Sequence, residues 1–366
     1  MILPALPALA AAAYYLLALI AAARRPNPKP ATSFAPPISI LKPIRGRDPD
    51  FYDCIRSHAT QQYADFEILF GVTDPGDPAI ADIERLRREF PGLSISVAVV
   101  STSAPNIKAG VLAELARRAR YPVLLVNDSD ILVPPGYLRA AAAPLAHPGT
   151  GLVTCLYRAR GGSPAARLEA LGIATDFAPG VLVARLLGVA EFALGSTMAF
   201  RAETLRAIGG FEAILDYLAD DYQLGRHIHE LGLHIAFADR VVETNLGAGS
   251  WREVWSHQLR WARTIRVSRP AGYFGSIVTN ATLWSLAALA AGAWWAALPA
   301  LALRLAAGAW IAARVLEDRR SLRIAALMPL RDLFGAAVWL AGLFGATVSW
   351  RGLKLHLRPD GRIQAG

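Results

Sequence analysis

Hydrophobic and polar positions divide the chain into three stretches. Ile2 to Ala23 is an uncharged apolar run closed by Arg24 and Arg25, with Lys29 just beyond. Such a run can cross a bilayer, for which ~20 residues suffice. Its basic residues follow the run, whereas a cleaved signal peptide carries them in front, so a retained anchor is expected. The positive-inside rule then puts Arg24 onward in the cytoplasm. From Pro36 to about Asn245 short apolar runs alternate with polar, helix-like stretches, the pattern of βα units. Strands are expected at Ile38-Leu41, Phe66-Val72, Ser94-Val100, Val123-Asn127 and Gly151-Cys155. Helices are expected over Asp48-Gln61, Ala79-Phe90, Lys108-Arg120 and Gln223-Leu231. An open, mostly parallel α/β sheet follows, whose ligands bind beyond the carboxyl ends of the strands.

Past Gly272 the chain turns apolar in three runs, Tyr273-Ala297, Leu298-Leu316 and Leu333-Trp350. Arg304 falls near mid-depth of the second run and needs a partner or a polar cavity. Glu317-Asp332, holding Arg319, Arg320, Arg323 and Arg331, reads as a cytoplasmic linker. A third crossing would place Arg351, Lys354 and Arg358 outside, against the charge rule, so that run either spans or re-enters.

Composition agrees with apolar ends, at 54% hydrophobic in 366 residues. The net charge of +9 suits anionic headgroups and a diphosphate-bearing substrate, and no nucleic-acid partner is expected. Cys54 and Cys155 are the only cysteines, which excludes a disulfide framework and a thiolate zinc site and fits a reducing compartment.

Acidic residues follow the expected strands. Asp74, in Val72-Thr73-Asp74-Pro75-Gly76, is either turn chemistry or a carboxylate for a base or ribose. Asp128-Ser129-Asp130 follows an apolar strand. Two carboxylates so close repel each other unless a cation offsets them, and oxygen ligands favour Mg2+ or Mn2+, which could bridge a donor's phosphates. A helix cap on a solvated loop is the alternative. Asp220-Asp221 precedes a helix; capping explains one carboxylate, and the other suits a general base toward an acceptor hydroxyl. Lys108 opens a helix, either as a solvated charge or as a cation at a diphosphate site. Trp251 to Arg269 crowds Trp255, His257, Arg260, Trp261, Arg263 and Arg266 into one basic amphipathic helix suited to a membrane interface. His257, Arg260 and Trp261 could also meet a leaving diphosphate there.

In order, Val72-Thr73-Asp74, Asn127-Asp128-Ser129-Asp130, Ala219-Asp220-Asp221-Tyr222 and His257-Gln258-Leu259-Arg260-Trp261 resemble the D, D, D, (Q/R)xxRW series of inverting family 2/21-type glycosyltransferases. The likeness is greatest to ceramide glucosyltransferases and bacterial hopanoid-biosynthesis glycosyltransferases. Ile40-Leu41-Lys42-Pro43, Asn106-Ile107-Lys108 and Gly195-Ser196-Thr197-Met198 add to it. The resemblance implies a GT-A fold, a UDP-sugar donor and a lipid acceptor. By it, Asp74 meets the uridine, Asp128 and Asp130 the ribose and metal-diphosphate, with Asp130 on the metal. Asp221 is the base, and Arg260 and Trp261 hold the diphosphate and close the acceptor site. The motif's first position is His257 rather than Gln or Arg, a residue that titrates near neutrality.

The expected layout is an anchor at 1–23, a cytoplasmic GT-A catalytic domain with interfacial helices at 24–271, two to three spans at 272–350 and a basic tail at 351–366. It describes a multi-pass inner-membrane enzyme moving a hexose from a UDP-sugar to a ceramide-like or hopanoid hydroxyl. A processive polysaccharide synthase and a catalytically silent membrane scaffold are the competing readings.

Overall fold

The computed structural model describes residues 3–24, 34–350 and 353–365. Ile2, Arg25, Lys29 and Arg351 lie outside them. The chain divides into two compact units, one of residues 27–157 and 190–245, the other of residues 1–26, 158–189 and 246–366.

The first unit is built on a sheet of eight strands: β1 (Ile38–Pro43), β2 (Phe66–Val72), β3 (Ser94–Val99), β4 (Val123–Val126), β5 (Ile131–Leu132), β6 (Thr150–Arg160), β7 (Met198–Arg201) and β8 (His234–Asn245). Their order is β3-β2-β1-β4-β7-β6-β8-β5. Side chains along β1, β2 and β4 alternate between two cores. Ile38, Ile40, Ile68, Phe70, Val123 and Leu125 pack on one face, and Leu41, Leu69, Leu124 and Val126 on the other. Burial on both faces explains why these strands read as continuous apolar runs. Each such side chain stabilises the fold by about 1.5–3 kcal/mol.

The expected mostly parallel sheet is parallel only from β3 to β4. β7 runs antiparallel to β4 and β6, and β5 antiparallel to β8. Helices still separate β6 from β7 and β7 from β8, so strand-helix alternation in the sequence does not by itself distinguish these antiparallel neighbours from the parallel ones. The Asp220–Glu230 helix lies close against the segment before β7: a Cβ on Gly225 would stand 2.7 Å from the Ala193 amide nitrogen and 2.9 Å from the Phe192 carbonyl carbon.

Among the described residues of the second unit three helices are long and apolar enough to cross a membrane, Leu6–Ala23, Trp294–Val315 and Ala325–Gly342. The Tyr273-Ala297 run is not one span. It breaks into helices Pro270–Ser276 and Ala281–Ala290, the second capped by Asn280, whose Oδ1 accepts from the Leu283 amide at 3.0 Å. Ten helical residues rise only about 15 Å, half the hydrocarbon core. The third apolar helix starts before Leu333 and ends at Gly342, so Arg331 and Asp332 belong to it rather than to a linker. Beyond it the chain forms a three-stranded antiparallel sheet, β9 (Thr347–Trp350), β10 (Leu353–Leu357) and β11 (Ile363–Ala365), where a basic tail was expected.

Arg304 has its partner. Its Nη2 lies 2.7 Å from Asp332 Oδ1, its Nη1 donates to the Thr175 carbonyl at 2.8 Å, and the Tyr15 ring lies 5.1 Å away. Around it the helices touch through fully buried Ala8, Ala11, Ala296 and Ala300, the small residues that let apolar helices approach.

Candidate active site

Helix Ile107–Arg118 of the first unit positions Lys108. Asn106 is its N-cap: Oδ1 accepts from the Ala109 amide at 3.1 Å, while Nδ2 donates to the Tyr217 carbonyl at 2.7 Å. A cation in a first helical turn opposes the helix dipole. Two carboxylates offset this, Asp128 Oδ1 at 2.8 Å and Asp220 Oδ2 at 3.0 Å from Nζ. Burial alone would push the lysine down, but Asp128 and Asp220 reverse that and hold it above its ordinary value. The solvated-charge reading of Lys108 does not hold.

Asp128-Ser129-Asp130 turns the chain from β4 into β5. Ser129 Oγ donates to Asp48, and Thr244 Oγ1 on β8 donates to Asp130 Oδ2. Burial, then Asp128, pushes the Asp130 carboxyl up to about 6. Asp128 Oδ2 has no protein hydrogen bond among the described residues; it and Asp221 Oδ2 would stand 3.5 and 3.3 Å from a Cβ on Gly195. Gly195 leaves the space between these oxygens open.

Asp221 sits in the first turn of the Asp220–Glu230 helix. Oδ2 accepts from the Gly195 amide at 3.0 Å and Oδ1 from the Tyr222 amide at 2.7 Å, so capping is part of its work. A carboxylate has about four lone-pair sites, so it can still accept a proton. Burial, then Asp220, raises Asp221 to about 6, with Lys108 opposing. That is close to the value a base needs at neutral pH.

Asp74 lies exposed past β2, away from burial, and its Oδ1 accepts from the Gly76 amide at 2.8 Å, as turn chemistry requires. The buried neighbour Asp77 ties two loops together, accepting from Gly46 at 2.7 Å and Ala79 at 2.9 Å.

In the second unit, helix Trp251–Ser268 carries His257, Arg260 and Trp261. It starts at a capping box, Ser250 with Glu253. His257 Nδ1 is 2.6 Å from Glu169 Oε1, and its ring meets Trp261 edge-on at 4.7 Å. Arg263 and Arg266 donate to Phe344 at 3.0 Å and Gly345 at 2.6 Å, carbonyls past the end of the third apolar helix. Those two arginines serve the fold of this unit, as helix ends demand.

Residues 3–363 match the family model described as glycosyl transferase family 21. The chain belongs to glycosyl transferase family 21. Ceramide glucosyltransferase 1 of Caenorhabditis elegans is 28% identical over 232 residues, 62% of this family 21 chain and 49% of the relative. Ceramide glucosyltransferase 3 of the same organism is 29% identical over 238 residues, 63% and 51% of the two chains. The alignments thus span about half the length of these curated relatives. A mannosyltransferase from Pyrobaculum calidifontis, in complex with GDP-Man and Mn2+, superposes with a TM-score of 0.57 at 20% identity, over 93% of this chain and 99% of that one. The fold is that of GT-A glycosyltransferases.

Sequence reasoning gave no separate role to Lys42. It is fully buried on β1, and Nζ donates to the Asp128 carbonyl at 3.1 Å. Burial lowers it to about 8, with Cys54, Asp130 and Asp128 opposing. A charged residue in the run Ile-Ser-Ile-Leu-Lys was the available signal. In this family 21 chain it fixes the backbone from which Asp128 projects.

Proposed function

We propose that this family 21 enzyme moves a hexose, glucose or N-acetylglucosamine in type, from a UDP-sugar to the hydroxyl of a ceramide-like or hopanoid membrane lipid. The observation that carries the reading is the convergence of Asp128 and Asp221 on the space at Gly195, with Lys108 bridging Asp128 and Asp220. Asp221 takes the proton as the acceptor oxygen attacks the anomeric carbon. The bond from that carbon to the diphosphate breaks on the opposite face, so the carbon inverts. Lys108 sits where it can offset charge gathering on the departing diphosphate.

The chain's donor set fits a divalent cation. Asp130 is raised by its own burial and by Asp128, which is the repulsion a cation relieves, and Asp128 Oδ2 is left without a protein donor. Among the described residues no group of three His, Cys, Asp or Glu gathers as a metal cage. Mg2+ commonly takes one or two carboxylates and completes its shell with substrate phosphates, and Asp128 and Asp130 would supply those two. When bound, Mg2+ or Mn2+ would neutralise charge on the donor diphosphate. Asp74 is assigned to the uridine, His257 and Arg260 to the diphosphate and Trp261 to the acceptor, on the strength of the motif.

Three apolar helices support a multi-pass protein of the inner membrane, with the Asp128 site on the cytoplasmic side where nucleotide sugars are available. The test is full-length protein in anionic liposomes with UDP-glucose or UDP-N-acetylglucosamine and ceramide or a hydroxylated hopanoid. UDP release and an inverted glycolipid are expected. Absence of both, together with no thermal response to UDP plus Mn2+, would overturn the reading in favour of a silent scaffold.

A further inference from the structure

We propose that Glu169 is a positioning residue that fixes the imidazole of His257 and so decides which of its nitrogens meets substrate; the substrate half of this rests on the function proposed above. Glu169 lies on helix Pro164–Gly172, with its side chain only 3% exposed. Its Oε1 receives two donors, His257 Nδ1 at 2.6 Å and Gln258 Nε2 at 2.8 Å. Gln258 Oε1 in turn accepts from Arg331 Nη2 at 3.0 Å. The chain Arg331 to Gln258 to Glu169 leaves the carboxylate one orientation, and an ionised carboxylate only accepts. The proton therefore sits on Nδ1, and Nε2 is the open end of the ring.

The remaining contacts agree. On its other side His257 packs edge-on against Trp261 at 4.7 Å, and Trp261 tilts against Phe177 at 6.2 Å. Nε2 has no protein hydrogen bond among the described residues, and the side chain is 30% exposed. Nδ1 is thus held by a buried carboxylate while Nε2, on the partly exposed side of the ring, stays open, the arrangement by which a second group sets a histidine's tautomer.

This accounts for histidine at a position where the motif has Gln or Arg. Those side chains present donors at their tips without help. A free imidazole can turn either nitrogen outward, so a carboxylate at Nδ1 gives it a single presented atom.

Three variants test this in full-length protein. Glu169→Leu removes the acceptor, Glu169→Gln keeps one, and His257→Gln installs a side chain that needs no tautomer control. In the wild-type background Glu169→Leu should lower sugar transfer about tenfold, the scale of one charged hydrogen bond, and Glu169→Gln should restore most of it. In the His257→Gln background the same Leu substitution should cost less than about twofold. Equal losses in both backgrounds would reduce Glu169 to a structural role. Nitrogen-15 spectra of histidine-labelled protein, with His257 assigned from the His257→Gln spectrum, should show Nδ1 protonated in wild type and Glu169→Gln. A proton on Nε2 alone overturns the proposal whether or not the protein transfers sugar. If Glu169→Leu does not fold, the wild-type and Glu169→Gln spectra decide.

Discussion

Asp221 and Asp130 are both raised to about 6, with different consequences. For Asp221 the working form is the anion, so transfer should rise with pH through an apparent value near 6. Asp221→Asn should lower turnover by about 10²- to 10⁴-fold while UDP binding, followed by thermal shift, persists. Wild-type turnover in that variant would remove Asp221 as the base. For Asp130 the consequence is stability. A carboxyl whose folded value lies above its unfolded one stabilises the fold at pH below about 4 and loses that contribution as pH rises through about 6. Metal-free protein should therefore gain roughly 2–4 °C in melting temperature at pH 7.5 from Asp130→Asn. The variant should also lose most of the stabilisation that Mn2+ and UDP give wild type. A lower melting temperature with an unchanged Mn2+ response would exclude Asp130 as a ligand. Asp128, Asp130 and Asp221 were legible because each follows an apolar run or opens a helix. The burial of Lys108 was not, because its partners Asp128 and Asp220 lie far along the chain and only folding brings them together.

At the scale of elements, the Asp220 helix is held by what it lacks. Any side chain at Gly225 meets backbone at Ala193 and Phe192, which cannot swing aside. Gly225→Val should force the helix away from Gly195, breaking the Asp221 bond to its amide. We expect transfer to fall more than melting temperature, since the sheet is untouched. An active Gly225→Val enzyme would show that Asp221 does not depend on this packing. Asn106→Ala should cost about 1 kcal/mol of stability by chemical denaturation as a lost N-cap, and should also weaken UDP binding by loosening Lys108. Strands β1 to β4 and helices Ala79–Glu89 and Ile107–Arg118 were visible within a residue or two because burial on both faces and amphipathic periodicity write them into the sequence. β7 did not stand out because its Met-Ala-Phe-Arg lacks the unbroken Val/Leu run that marks the equally short β4.

At the scale of the molecule, the apolar ends were legible as ends but not as spans. Hydropathy alone joined Tyr273 to Ala297, although Asn280 caps a new helix within that run. It also missed that Asp332 belongs with Arg304. That pair lies inside two candidate spans, and removing one member leaves the other uncompensated. Asp332→Ala should destabilise the protein by about 3–5 kcal/mol, seen as loss of the monodisperse detergent-solubilised form. Replacing both residues by leucine should recover much of it.

The same pair sets an order on synthesis. Asp332 lies 28 residues after Arg304, so the Trp294–Val315 segment enters the bilayer before its counter-ion has left the ribosome. Until then a guanidinium near the middle of the segment weighs against insertion by about 2.5–3.5 kcal/mol. Thr175, Tyr15 and the nearby carboxylate of Asp176, made earlier, are already there to receive it, but none of them supplies the paired carboxylate that Asp332 does. Nascent chains arrested before Asp332 is exposed should leave this helix poorly inserted, and chains arrested after it should insert it fully.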